Sequence, residues 1–281
     1  CGGSHAGGLR RRVGGSWPGV RGVGGAPDVL VRVVEQVDNG AIWMGTRGSG
    51  LVRYRDGAFA SLSSADGLSS GLVLSIHEDE RGQLWIGTDG GGLCRIDRRG
   101  TPALQDDRVD CLAEEEGLFD DVIHAILPDG HGRLWMSTNR GLFWVERDQL
   151  AATLDGGAET VMSHAYTEAD GLRSREGNGG GQPAATRTAD GRLWFSTQGG
   201  VVTIDPDTLY RNTSPPRVNI EHVAAGDTSY RAYRPPGQPL RLSSSARTFE
   251  VKYTGFDYSK PEAVTFRYRL RGFGDWVSAE T

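Results

Sequence analysis

The chain alternates short apolar runs with Gly-, Asp- and Asn-rich turns, and the runs repeat. One five-residue pattern occurs four times: Ile42-Trp43-Met44-Gly45-Thr46, Leu84-Trp85-Ile86-Gly87-Thr88, Leu134-Trp135-Met136-Ser137-Thr138 and Leu193-Trp194-Phe195-Ser196-Thr197. The four Trp lie 42, 50 and 59 residues apart. Each pattern follows a turn signal: Asp38-Asn39-Gly40, Asp79-Glu80-Arg81-Gly82, Asp129-Gly130-His131-Gly132 and Asp190-Gly191. A Gly-containing turn and a second apolar run follow each: 51–54, 93–96, 142–145 and 201–204. Runs of this length between such turns predict β-hairpins.

A second marker keeps the register. Asp66-Gly67-Leu68, Glu116-Gly117-Leu118 and Asp170-Gly171-Leu172 precede the next Trp by 18, 18 and 23 residues, counted from the Gly. Further apolar runs follow at 73–76, 122–127 and, more weakly, 183–186. Only 147–154 (RDQLAATL) reads as a helix, short and at the surface, inserted in the third unit. A period of about 40 to 50 residues with up to four strands per unit predicts propeller blades. One such sheet cannot bury both faces, so the blades stack and each motif Trp packs between neighbours.

The pattern changes after Asn212. Thr213-Ser214-Pro215-Pro216 reads as a stiff linker, because Pro fixes φ and holds the residue before it extended. Runs at 218–223, 240–242, 249–253 and 266–270 follow, and Phe249, Val251, Tyr253 and Phe266, Tyr268, Leu270 alternate strictly. The predicted fold is all-β: a partial β-propeller of about four blades, then an incomplete Ig-like β-sandwich. The predicted divisions are a Gly-rich irregular edge at 1–28, blades at 29–212, a linker at 213–217 and the second domain at 218–281. An unclosed ring with open end faces and poor solubility is expected of four blades taken from a larger ring.

Composition narrows the partners. Gly accounts for 42 of 281 residues, about twice the usual share of about 7%. Seven Trp, eight Tyr and eight Phe argue against general disorder. The net charge of −5 provides no global field for nucleic acid. The long uncharged stretches, Gly67 to His77 and Leu193 to Ile204, are too short for a membrane helix, which needs about 20 residues. Of the three Cys, Cys94 and Cys111 read either as a bridge in an oxidising compartment or as buried free thiols, the latter favoured. Cys1-Gly2-Gly3-Ser4 also has the form of an acylated lipoprotein start, against which 1–28 reads better as a frayed edge.

The Leu-Trp-Ile-Gly-Thr units with Asp-Gly-Leu between them resemble the two-component regulator propeller repeats. The tail resembles the three-Y domain that follows such propellers, with Tyr253, Tyr258, Tyr268 and Trp276 in matching positions. The resemblance implies the periplasmic or extracellular sensor region of a membrane-anchored bacterial signalling protein, without its histidine kinase or diguanylate cyclase output. It implies a small-molecule or carbohydrate ligand, a homodimer through the three-Y domain, and membrane contact only through the parent protein. Relatives carry a dozen or more repeats, so the chain looks like an internal fragment.

The Trp faces would suit sugar stacking, but their place inside apolar strands assigns Trp43, Trp85, Trp135 and Trp194 to packing. His77, His124, His131 and His164 show no metal-ligand spacing, and Glu114-Glu115-Glu116 reads as a solvated rim rather than a cation site. The segment Arg173 to Gly181 carries the five extra residues of the longest marker spacing. Arg175, Glu176 and Asn178 are therefore the candidate ligand-binding residues. Together with Ser69-Ser70 and Asp120-Asp121 they should cluster near one end of the axis, although a tight ring-closing turn built by Asn178 and its glycines is the favoured reading of the segment. No nucleophile–base pair, metal site or cofactor fold stands out, so a sensor module without catalysis is expected. The alternatives are a glycosidase-like propeller enzyme, since Asp79-x-x-Gly82-x-x-Trp85 faintly resembles a sialidase Asp-box, and a protein-interaction scaffold.

Overall fold

The structure is a computed structural model that describes residues 2–4, 8–10, 29–97, 104, 107–179, 181–209, 218–226, 228–231, 240–242, 248–255, 266–269, 272, 274 and 277–279. Within 1–28, expected to be irregular, β1 (Gly2–Ser4) and β2 (Gly8–Arg10) pair antiparallel. Such pairing uses backbone groups alone, so a search for alternating side chains misses it.

The chain divides into two compact units, Cys1–Leu209 and Tyr210–Thr281. The first holds four consecutive antiparallel sheets. They are β3 (Val31–Gln36) to β6 (Ala58–Leu62) through β4 (Ile42–Thr46) and β5 (Leu51–Arg55); then β7 (Val73–Glu78), β8 (Leu84–Thr88), β9 (Leu93–Asp97) and β10 (Arg108–Leu112). The third comprises β11 (Ala125–Pro128), β12 (Arg133–Ser137), β13 (Leu142–Glu146) and β14 (His164–Tyr166); the fourth has three strands, β15 (Ala185–Arg187), β16 (Leu193–Thr197) and β17 (Gly200–Ile204). In each, sequential strands are sheet neighbours, and the first strands β3, β7, β11 and β15 pack successively against one another. This is the predicted partial propeller.

The motif encodes blade stacking. Trp43 packs with Val73, Ile76 and Ile86 of the second blade, Trp85 with Ile123, Ile126 and Met136 of the third, and Trp135 with Leu193 and Phe195 of the fourth. All three are fully buried. Trp194 corrects the expectation: it is 37% exposed, and Val201 on the same sheet is 68% exposed. No further blade covers that face among the described residues, so an indole that would be core elsewhere meets solvent. The Gly of the motif serves blade spacing, since a Cβ on Gly45 would lie 2.9 Å from the Val73 Cβ, and one on Gly87 would lie 2.7 Å from the Ile123 carbonyl. The motif Thr closes the following hairpin: Thr46 and Thr88 hydroxyls donate to the Gly50 and Gly92 carbonyls at 2.8 and 2.9 Å.

The Asp/Glu-Gly-Leu marker is a capped 3-10 turn. Backbone N–H groups of Ser63, Ala113 and Thr167 donate to the Asp66, Glu116 and Asp170 carboxylates at 2.9, 2.8 and 2.9 Å. Gly67, Gly117 and Gly171 close these turns at φ 105, 98 and 96°, where a side chain would be strained. Leu68 and Leu118 then enter the core. Glu116 is thus a cap, while Glu114 pairs with Arg140 at 2.9 Å.

Cys94 and Cys111, opposite each other on β9 and β10, form a disulfide, which overturns the favoured free-thiol reading. The insertion helix α1 (Arg147–Leu154) lies where the sequence places it and buries Leu150 and Leu154. The buried Arg95 reaches Asp155 at 2.6 Å and Asp110 at 3.3 Å, tying the helix end to the second blade.

The second unit holds a three-stranded sheet, β18 (Val218–Ala225) between β19 (Thr228–Arg231) and β20 (Phe249–Gly255), and a pair, β21 (Arg267–Tyr268) with β22 (Val277–Ser278). Tyr253 meets Phe266 edge-on, with centroids 4.9 Å apart. The run 240–242 is not a strand; three residues directly after Pro239 are too few to support a ladder next to a residue lacking an N–H. Phe249 and Tyr268 are exposed rather than facing a core. Tyr258, Leu270, Trp276 and the linker 213–217 lie outside the described residues.

Candidate functional site: the axial cavity

The first strands of the four blades and the segment 179–185 line a half-open cavity of about 180 Å³. Its polar lining includes Arg32, Glu35, Ser75, His77, His124 and Gln182. The register explains part of this set. Glu35 pairs with Trp43 and His77 with Trp85, so the two occupy equivalent positions on adjacent inner strands. Leu127 stands opposite Trp135 and Thr186 opposite Trp194 at the same level. A polar residue eight positions before the motif Trp is therefore the signal that could have found them.

Gln182 joins the fourth blade to the first. Its amide donates to the Val34 carbonyl at 2.7 Å, and its carbonyl oxygen accepts from the Val34 N–H at 2.8 Å. One side chain thus reproduces the backbone pairing of a strand neighbour. Arg32 adds a bond from its guanidinium to the Gly179 carbonyl at 3.3 Å. The expected open ring is bridged at the axis, while the outer face of its last blade stays open at Trp194.

The electrostatics of the cavity are uneven. Burial first, and the neighbouring Glu78 carboxylate second, hold the Glu35 carboxyl above its ordinary pKa. Burial pushes the His77 imidazole below its ordinary value; Asp79 and then Glu78 oppose that shift, and Arg147 adds to it. His77 Nε2 and His124 Nδ1 are buried without hydrogen-bond partners. The other His124 nitrogen meets Asn139 at 2.8 Å. Among the described residues no group of three His, Cys, Asp or Glu is placed to hold a metal ion.

The candidate loop reaches the rim, and its side chains do not line the cavity. Arg175, Glu176 and Asn178 are exposed, and the lining begins one residue later at Gly179. Their backbone does the joining: the Gly177 N–H donates to Thr138 at 2.7 Å, the Asn178 N–H to Ser196 at 2.9 Å, and the Glu176 carbonyl accepts from Gln198 at 2.9 Å. The Ile123 N–H makes the bond to Thr88 that Gly177 makes to Thr138, the Leu72 carbonyl accepts from Asp89 as Glu176 does from Gln198, and the Gly71 and Asp121 carbonyls accept from hairpin glycines of the preceding blades. The three loops thus all fasten one blade to the next through their backbones.

The Asp turns are equally committed. Asp79 Oδ1 accepts the Arg81 and Gln83 N–H groups at 2.9 and 3.0 Å, and its Oδ2 accepts the Trp85 indole N–H at 3.0 Å. Asp129 does the same for His131, Arg133 and Trp135. Both carboxylates are buried and fully occupied.

Residues 67–90 and 117–140 match the two-component regulator propeller family. Each match starts at a marker glycine and runs through the inner strand and the motif Trp into the hairpin that follows. Comparison with curated protein sequences gave no match. Among solved structures, PorZ, a surface component of the type-IX secretion system of Porphyromonas gingivalis, is similar at 18% identity and a TM-score of 0.54, over 73% of this chain and 30% of its own. The extracellular domain of the B. thetaiotaomicron hybrid two component system BT3049 aligns at 19% identity and a TM-score of 0.44, over 99% of this chain and 42% of its own. That of the one component system BT4673 of the same organism aligns at 15% and 0.49, over 89% and 45%. The chain spans less than half the length of each. The PorZ likeness bears on the fold alone. No helix among the described residues is long and apolar enough to cross a membrane.

Proposed function

We propose that the chain is the extracytoplasmic, non-catalytic sensor region of a membrane-anchored bacterial signalling protein. In this reading the propeller takes a small ligand at its axis. The unit after Tyr210, read as an Ig-like three-Y domain, pairs with a second copy and passes the signal to a histidine kinase or diguanylate cyclase beyond this chain. The observation that carries the reading is the family match on two successive blade junctions. The Cys94–Cys111 bridge supports it, because disulfides persist in oxidising compartments such as the periplasm. The occupied Asp79 and Asp129 weigh against the glycosidase alternative, since neither carboxylate is available as acid or nucleophile.

The test uses the full-length parent protein. Stimulus-dependent autophosphorylation or cyclic-dinucleotide synthesis should depend on the propeller. Replacing Arg175, Glu176 and Asn178 together with Ala tests the rim, and Glu35→Gln tests the cavity. Loss of response in at least one of these, with a melting temperature no lower than that of the native protein, supports the reading. A parent frame without a membrane span and output domain would sink it.

A further inference from the structure

Cys94 and Cys111 occupy a place that the neighbouring blades fill with ordinary packing. By register Cys94 matches Val52 in the first blade and Phe143 in the third, each standing opposite the third residue of the motif. Cys111 likewise matches Ser61 and Ala165. In the third blade, Phe143 packs against Phe119, two residues after the marker glycine, with ring centroids 5.9 Å apart. The residue two after the marker glycine of the second blade is Ser69, and its hydroxyl lies 3.1 Å from Cys94 Sγ.

A bridged sulfur carries no proton, so the Ser69 hydroxyl is the donor in that contact. Cys111 Sγ lies 3.6 Å from the Gly67 carbonyl, in a solvent-exposed contact. A disulfide has nothing to donate to that oxygen, whereas a thiol has. Each sulfur therefore faces the partner that its reduced form needs: a hydroxyl for a Cys94 thiolate, a carbonyl for the Cys111 S–H. A bridge kept only for stability requires neither. The two sulfurs also differ in access. Cys94 is fully buried, while Cys111 is half-buried beside the exposed Gly67 and Ser69.

We propose that Cys94–Cys111 is a reversible thiol–disulfide exchange site, entered at Cys111 by an external dithiol, with Cys94 as the leaving sulfur. One thiolate of the dithiol attacks Cys111 Sγ; the S–S bond breaks and its electron pair passes to Cys94 Sγ, where the Ser69 hydroxyl stabilises the charge until water supplies a proton. The second thiolate attacks the dithiol's own sulfur in the mixed disulfide. Cys111 is released as a thiolate and takes a proton from water, and the dithiol leaves oxidised by two electrons to its disulfide. A disulfide of the same class reverses each step. This goes beyond the sensor reading and does not depend on it. Gly67 and Ser69 belong to the segment joining β6 of the first blade to β7 of the second, so the exchange acts at a blade junction.

Dithiothreitol serves as the dithiol probe and glutathione as the monothiol, with the chain quenched, alkylated and read by mass spectrometry. Reduction of the native chain should be first-order in dithiothreitol and leave its folded amide spectrum in place, with shifts confined to 67–69, 93–95 and 110–112. Glutathione should be trapped on Cys111, with Cys94 alkylated. Ser69→Ala should slow reduction about fivefold, the effect of one hydrogen bond on the departing thiolate. Ser69→Thr should keep the native rate, and in concentrated urea all three chains should react alike. A rate independent of dithiothreitol concentration would mean that the chain must unfold before it reacts. That result, loss of the folded spectrum on reduction, glutathione trapped on Cys94, or equal native-state rates for Ser69→Ala and the native chain would each overturn the proposal.

Discussion

The indole N–H of Trp85 donates to Asp79 six residues earlier, at 3.0 Å, whereas Trp43 at the equivalent position has a buried indole nitrogen with no acceptor. Six residues before Trp43 stands Val37, and six before Trp194 stands Thr188, whose hydroxyl accepts the indole bond at 3.2 Å. The same Trp therefore costs or gains depending on one residue of the preceding turn. Replacing Trp by Phe keeps most of the volume and removes the N–H. Trp85→Phe should lose a charge-assisted bond and leave Asp79 short of a donor, a penalty of about 2 kcal/mol beyond packing. Trp43→Phe removes a donor that is already unpaired. Urea titration should show Trp43→Phe the milder by at least about 1 kcal/mol; equal losses would show that the indole bond carries no weight.

The buried and exposed Trp make a second comparison. Trp135→Ala should cost about 3–5 kcal/mol, the penalty for emptying a large aromatic site. Trp194→Ala, on the uncovered face, should stay below about 1 kcal/mol. A large loss at Trp194 would mean that this face is covered in solution, by another copy or by residues outside those described.

Much of the propeller was legible because a blade repeats its constraints at fixed offsets. The Trp motif, the marker glycine and α1 all fell where the sequence put them. The failures have physical causes too. Turn composition at Asp38 and Asp190 looked equivalent to Asp79, yet the indole is reached from the position six residues before the Trp, where Val37 and Thr188 stand in those two blades. Trp194 looked like its three counterparts, because burial depends on a neighbouring blade that the local pattern does not report. Arg32, Glu35 and Gln182 were passed over because a polar residue in an inner strand resembles one facing solvent. Only topology turns that face toward the axis.

The disulfide links β9 to β10 across a 17-residue separation. Closing a loop of about 15 residues restricts the unfolded chain by about 3 kcal/mol. A Cys94→Ala, Cys111→Ala variant, or the native chain under strong reductant, should lose stability of that order. Mass spectrometry of the untreated chain should find the pair oxidised. Thiol labelling of both cysteines in the non-reduced native protein would contradict the bridge.

His77 and Glu35 should pull the pH dependence of stability in opposite directions. The His77 pKa is lowered from 6.5 by burial, so the unfolded state binds its proton more readily, and stability is lost as pH falls below 6.5. The Glu35 pKa is raised from 4.5 by burial and Glu78, so the folded state holds its proton more firmly, and stability is lost as pH rises through that elevated value. Between pH 7 and pH 5, His77→Gln should therefore decline less than the native chain. Glu35→Gln should decline more, having lost the opposing contribution. Parallel denaturation curves for all three would show that neither side chain is as enclosed as the cavity geometry requires.

Closure of the arc rests on Gln182, and its two bonds to Val34 allow a graded test. A strand edge offers one N–H and one C=O per residue, and a primary amide is the side-chain group that can answer both at once. Gln182→Glu keeps an acceptor for the Val34 N–H but cannot, when ionised, donate to the Val34 carbonyl. Gln182→Ala removes both partners. Each bond is near solvent, so the expected losses are modest, about 1 kcal/mol for Ala and less for Glu. The sharper readout is local. Hydrogen exchange at the Val34 amide should accelerate strongly in Gln182→Ala and little in Gln182→Glu, with amides of β8 and β12 unaffected. If Val34 exchanges equally fast in the native chain and in both variants, the fourth blade does not stay fastened to the first, and the cavity between them loses one of its walls.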